Sequence, residues 1–99
     1  MPVIKVQTIV VGYLWDAKVW LENQQINLAH DGNKTWQSTD LINVNDGVLN
    51  VVFHGRGIAG TDWGIIVNEL EPVEKELLKK PGEIQSNGHS IVPFATAIT

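Results

Sequence analysis

A chain of 99 residues with 43% hydrophobic and 18% charged residues can close one core but not two, and it carries too little charge to stay disordered. Its formal charge of -4, from 11 acidic against 7 basic residues, gives no attraction to phosphate backbones or anionic lipid, which argues against nucleic acid or a membrane as partner. Cysteine is absent, so neither disulfides nor thiolate metal sites can hold the fold; this suits a reducing compartment and leaves stability to packing.

Met1 to Lys5 contains no basic segment leading into a long apolar run, so no signal peptide is visible and a cytoplasmic location is expected if the chain is full length. Val3 to Val11 reads as a strand ending at Gly12, with Ile4, Val6 and Val10 on the buried side. In Leu14 to Leu21 the alternation places Trp15, Ala17, Val19 and Leu21 on one face, which assigns Trp15 to the core and leaves Trp20 on the polar face. Asn23-Gln24-Gln25 is a polar turn, and Ile26 with Leu28 begins a short strand. Asp31-Gly32-Asn33 follows as a hairpin signal, because Gly and Asn tolerate the positive φ that such turns require.

Trp36 to Val44 resumes strand character, and Asn45-Asp46-Gly47 turns the chain into Val48 to His54. There Leu49, Val51 and Phe53 form one fully apolar face, the pattern of a central strand. Gly55-Arg56-Gly57-Ile58-Ala59-Gly60 matches a G-x-G-x-x-G string, but a dinucleotide site needs a helix to follow, and Trp63 to Glu69 is a β-branched run instead. The glycine string is therefore a loop between strands. The segment from Glu71 to Lys80 suits either a short helix, with Pro72 in its first turn and Lys79 and Lys80 at its end, or a charged edge strand. Pro81-Gly82 and Asn87-Gly88 read as turns, and His89 to Ile98 as a last strand that Pro93 confines to an edge or a bulge. The expected fold is all-β: one antiparallel β-sandwich domain of about seven strands, immunoglobulin-like or prealbumin-like, with at most one short helix near 73–80.

Val11-Gly12, then Ala17-Lys18-Val19-Trp20-Leu21, then Asp31-Gly32-Asn33-Lys34-Thr35-Trp36, then Leu49-Asn50-Val51-Val52-Phe53 make a pattern that resembles the transthyretin-like or carboxypeptidase-regulatory-like β-sandwiches. In those a strand carrying A-x-V-x-L precedes a D-x-G or D-G-x turn and an aromatic. The resemblance covers roughly the first half of the chain. It implies a seven-stranded sandwich and an accessory or binding role without catalysis. The hydrolase branch uses histidines and an arginine beside a tyrosine-bearing C-terminal tail, whereas this chain ends Phe94-Ala95-Thr96-Ala97-Ile98-Thr99, which speaks against a small hydrolase.

Four tryptophans in so short a chain draw attention to binding. Trp36 and Trp63 stand beside the loops, where an exposed indole could stack on a sugar ring or a peptide; the competing reading is that they plug the ends of the core. Arg56 and Asp62 add a cation and a carboxylate, and Gly55, Gly57, Gly60 and Gly64 remove side chains around them. The ligand-binding set expected from sequence is thus Trp36, Arg56, Asp62 and Trp63, recognising a carbohydrate or a protein partner without catalysis or cofactor. Asp31, Asn33, Asp40, Asn43, Asn45, Asp46 and Asp62 are the oxygen donors calcium takes, but they lack calcium-loop order and are explained better as turn residues. His30, His54 and His89 show no zinc spacing; they read best as solvated loop residues, the alternative being a polar site of His54, Arg56 and Asp62 if the sandwich brings His30 or His89 near. The second function class is a structural subunit that self-associates through edge strands at Val3 to Val11 and His89 to Ile98.

Overall fold

The computed structural model describes residues 3–44 and 47–98. These residues form nine strands and no helix: β1 (Val3–Val11), β2 (Asp16–Leu21), β3 (Gln24–Ile26), β4 (Ala29–His30), β5 (Thr35–Asn43), β6 (Val48–Arg56), β7 (Asp62–Glu71), β8 (Lys75–Glu83) and β9 (His89–Ala97). Two antiparallel sheets pack face to face, one of five strands in the order β4-β5-β1-β7-β8 and one of four in the order β3-β2-β6-β9. The fold is an all-β sandwich. Two strands beyond the expected seven arise because the short run after the Glu22-Asn23 turn breaks into β3, which stays with β2, and β4, which crosses to β5, and because residues 75–83 form the strand β8.

Alternation dictates which residues meet between the sheets. Ile4, Val6, Thr8 and Val10 of β1 point inward, as do Trp63, Ile65, Val67 and Glu69 of β7 and Leu49, Val51, Phe53 and Gly55 of β6. β6 is the centre of its sheet, between β2 and β9, as its apolar face requires. The first strand is not an edge: β1 lies between β5 and β7, because both of its sides are taken by long antiparallel partners. β9 is an edge, and Pro93 sits there without costing a ladder bond on the open side.

Of the two readings left open for 71–80, residues 75–83 take the edge strand, paired with β7 from Asp62↔Glu83 to Glu69↔Lys75. Three further expectations need correction. Pro81-Gly82 lie inside that strand instead of forming a turn. Trp15 is exposed, because Gly12-Tyr13-Leu14 bends the chain before β2 begins; Leu14, not Trp15, enters the core. The turn after Leu21 is Glu22-Asn23, both with positive φ, one residue earlier than composition suggests. The Asp31 to Lys34 hairpin is present, with Gly32 at φ 83°, while Asn45 and Asp46 of the next expected turn lie outside the described residues.

The centre of the packing at one end of the sandwich is Trp63, whose ring centroid is 4.3 Å from that of Phe53. Its cross-strand partner is Gly82, and a Cβ there would fall 2.1 Å from Trp63 Cζ2. A Cβ on Gly55 would fall 2.6 Å from Phe53 Cζ. These glycines are packing requirements set by the two rings. We expect Gly82→Ala to destabilise the fold by about 1–3 kcal/mol and Trp63→Ala by about 3–5 kcal/mol, from overpacking and from a cavity respectively. Chemical denaturation of the two variants against wild type measures both.

Candidate functional site

Three chain crossings between the sheets, at 12–15, 57–61 and 84–88, gather at one end of the sandwich with the Asp31 to Lys34 loop. This end holds all four residues of the expected ligand set, but the fold separates their side chains. Trp36 and Trp63 are each only 5% exposed, so neither presents a plate for stacking. One face of Trp36 is covered by His30, stacked at a centroid distance of 3.9 Å. Trp63 lies between the sheets, its indole N–H buried without an acceptor among the described residues. Arg56 and Asp62 are exposed, but alternation sends Arg56 to the outer face of the four-stranded sheet and Asp62 to the outer face of the five-stranded one. Cross-strand from Asp62 is another acid, Glu83.

The glycines divide in the same way. Gly55 yields to Phe53, Gly57 is buried and donates its N–H to Gly88 O, and Gly60 has φ 87°. Gly64 differs. It faces outward, its φ is not in the left-handed region, and a Cβ there would meet nothing closer than Lys80 O at 3.8 Å. Its neighbours on either side are Val11 of β1 and Pro81 of β8. The missing side chain leaves a depression in the sheet face with two lobes that meet at Val11 and Gly64. One, of about 310 Å³, runs over Ile66 toward Lys79 and Pro81. The other, of about 460 Å³, runs over Gly12 toward Tyr13, Lys34, Thr61 and Asp62. Tyr13 is 66% exposed, and Lys34 Nζ stands 5.9 Å from its ring centroid, within cation–π range.

Tyr13, Lys34 and the outward face of Gly64 are absent from the expected set, since only the register Thr35↔Val11↔Gly64 brings them together. Asp62 is the member of that set that lines this depression with an exposed side chain.

The histidines are not loop residues alone. His54 and His89 meet on the outer face of the four-stranded sheet, with His54 Nε2 3.2 Å from His89 Nδ1, while His30 stands apart on Trp36. Partial burial, and then the neighbouring His89, pull the His54 imidazole below its ordinary pKa. Among the described residues no three His, Cys, Asp or Glu side chains stand together in a way that could hold a metal ion. Among the described residues the Asp and Asn loops do not converge: Asn43 lies at the far end of β5, and Asp40 accepts a hydrogen bond from Ser38 Oγ at 2.6 Å. Asp31 is a turn residue in the full sense, its Oδ1 accepting from Asn33 N at 2.8 Å and Thr35 N at 3.2 Å.

Comparison of the chain with protein-family models, with curated proteins and with solved structures found no match.

The hydrogen bonds from Asn33 and Thr35 hold the Asp31 carboxyl below its ordinary value of 3.8. A carboxylate whose pKa is lowered by folding adds stability above its unfolded pKa and loses it as pH falls through the folded one. The thermal midpoint is therefore expected to fall as pH drops below about 3.8, and Asp31→Asn, which keeps an acceptor but cannot titrate, is expected to flatten part of that slope. Melting curves of both proteins between pH 5 and pH 2 check this.

Proposed function

We propose that this chain is a non-catalytic binding module whose ligand lies over Gly64 on the outer face of the five-stranded sheet. The observation that carries this reading is the depression itself: neither backbone conformation nor packing demands a glycine at position 64, and its missing side chain opens the sheet face. A side-chain-sized gap in an otherwise covered sheet is what a ligand that approaches the backbone needs.

The chemistry around the gap favours a carbohydrate. Val11, Ile66 and Pro81 supply an apolar floor for the C–H face of a sugar ring. Tyr13 supplies an exposed aromatic ring beside it, while Lys34 and Asp62 supply a donor and an acceptor for hydroxyl groups at one end. Lobes of 310 and 460 Å³ are of the size that small ligands occupy, whereas a protein partner would need roughly 800 Å² of contact on each side. The exposed Trp15 and Ile58 at the same end are available to a longer ligand.

A glycan panel read by calorimetry or array binding tests the proposal. Gly64→Val is expected to fold normally, since its Cβ makes only an ordinary van der Waals contact, with Lys80 O at 3.8 Å, and valine suits a strand, and to abolish binding by filling the depression. Tyr13→Ala is expected to weaken binding by about 1–2 kcal/mol, the scale of one lost aromatic contact. Undiminished binding by a folded Gly64→Val protein would remove the site from Gly64.

A further inference from the structure

The two long sides of the sandwich are finished differently. On one side the sheet edges β8 and β9 are tied together: Thr96 Oγ1 donates to Leu77 O at 2.6 Å, and Lys75 Nζ donates to Ile98 O. Those edges also carry the residues that discourage strand addition, Lys75, Lys79, Lys80 and Pro81 on β8 and Pro93 on β9. On the other side β4 pairs with β5 only at Gln37 and Trp36, because β3 and β4 cross from one sheet to the other. Ser38 to Asn43 therefore has no strand partner beyond β5 among the described residues. This stretch holds no proline, lysine or arginine, and Leu41 on it is 69% exposed. A cleft of about 400 Å³ runs beside it, between Leu41 to Asn43 and the turn at Glu22, Asn23 and Gln24.

We propose that this free edge joins two copies of the chain, β5 against β5, about a two-fold axis through Leu41 and perpendicular to the sheet. The register follows from what each residue would face. An antiparallel pair that continues both the inner and the outer face must set inward residues opposite inward ones, so the axis passes through a residue and not between two. Two registers pair five residues of the free stretch with one another. One, centred on Asp40, would bring two half-buried carboxylates directly opposite each other, which is unfavourable. The other, centred on Leu41, pairs Leu41 with its own copy, Thr39 with Asn43 and Asp40 with Ile42, and leaves each Asp40 with the Ser38 hydroxyl it already holds. An isologous contact of this kind closes at two copies, so it gives a dimer and not a fibre.

Because the chain has no cysteine, single thiols can read the register. Leu41→Cys is expected to form a disulfide-linked dimer on mild oxidation, since directly opposed Cα atoms at 4.5–5.5 Å lie within disulfide range. Thr39→Cys and Asn43→Cys are expected to cross-link when mixed but not when oxidised separately. Ile91→Cys, exposed on the other sheet, serves as the collision control. By sedimentation, wild type is expected to dimerise with concentration, and Leu41→Lys to raise the dissociation constant at least tenfold with an unchanged melting curve. A wild-type chain that stays monomeric up to millimolar concentration overturns the proposal. So does a Leu41→Cys chain that cross-links no faster than the control, or a dimer that survives Leu41→Lys.

Discussion

Trp63 is one of the two tryptophans buried at the end of the core where the chain crosses three times between the sheets, and its position decides what the neighbouring backbone can be. An indole of this size fits between sheets only where the facing residues give up their side chains. Gly82 does so directly beneath the ring, and Gly12 lets the β1–β2 bend approach, since a Cβ there would stand 2.9 Å from Asp62 O and 3.1 Å from Trp63 Cβ. Phe53 fills the space on the other sheet and in turn demands Gly55. The interaction thus fixes Gly12, Gly55 and Gly82 as structural, and the bend at Gly12 places Tyr13 on the surface and Leu14 in the core. The exposed aromatic ring of the proposed site is a consequence of the buried one.

Much of this fold could be read from the chain, because its strands are long and alternate cleanly. β6 was recognisable as central from Leu49, Val51 and Phe53, and β1 showed its inward face in Ile4, Val6 and Val10. What alternation could not convey was pairing. It made Val3 to Val11 look like an edge when β5 and β7 flank it, and it made Pro81-Gly82 look like a turn when Gly82 is required by a tryptophan nineteen positions earlier in the chain. Trp15 illustrates the same limit at short range: its spacing matches the inward residues of β2, but the strand does not extend back to it. The candidate site was legible only in part. Loop-end tryptophans are ambiguous between core plug and platform until their strands are placed, and here the core takes both Trp36 and Trp63. Gly64 stood among the glycines noted in the sequence, but its separate role depends on facing outward, which is a matter of register.

The two sides of the sandwich differ in how they meet water. Glu69 is almost fully buried at the closed side, where its carboxylate accepts Val73 N at 3.2 Å and faces Lys75 Nζ at 3.9 Å. A buried acid paired in this way tends to hold geometry more than it adds stability. Here the same lysine reaches Ile98 O, so the pair connects the β7–β8 turn to the chain end leaving β9. Among the described residues nothing equivalent spans the β5 side. Glu22 instead turns back on its own sheet, accepting from Asn50 N and Nδ2. One side is stitched and charged; the other, among the described residues, leaves backbone groups along Ser38 to Asn43 without a strand to receive them.

The symmetry of the proposed pairing bears on the proposed site. A two-fold axis perpendicular to the joined sheet keeps the outer faces of both copies on the same side. The depression over Gly64 lies on that outer face, on the β1, β7 and β8 side away from the β5 edge. Joining two copies at Leu41 therefore leaves both depressions uncovered and opens them in the same direction. An extended or repetitive ligand such as a polysaccharide could then occupy both at once, so that the second contact forms at the high local concentration set by the first. A shallow site with one exposed aromatic ring binds weakly alone, and pairing would give it useful affinity without deepening the pocket.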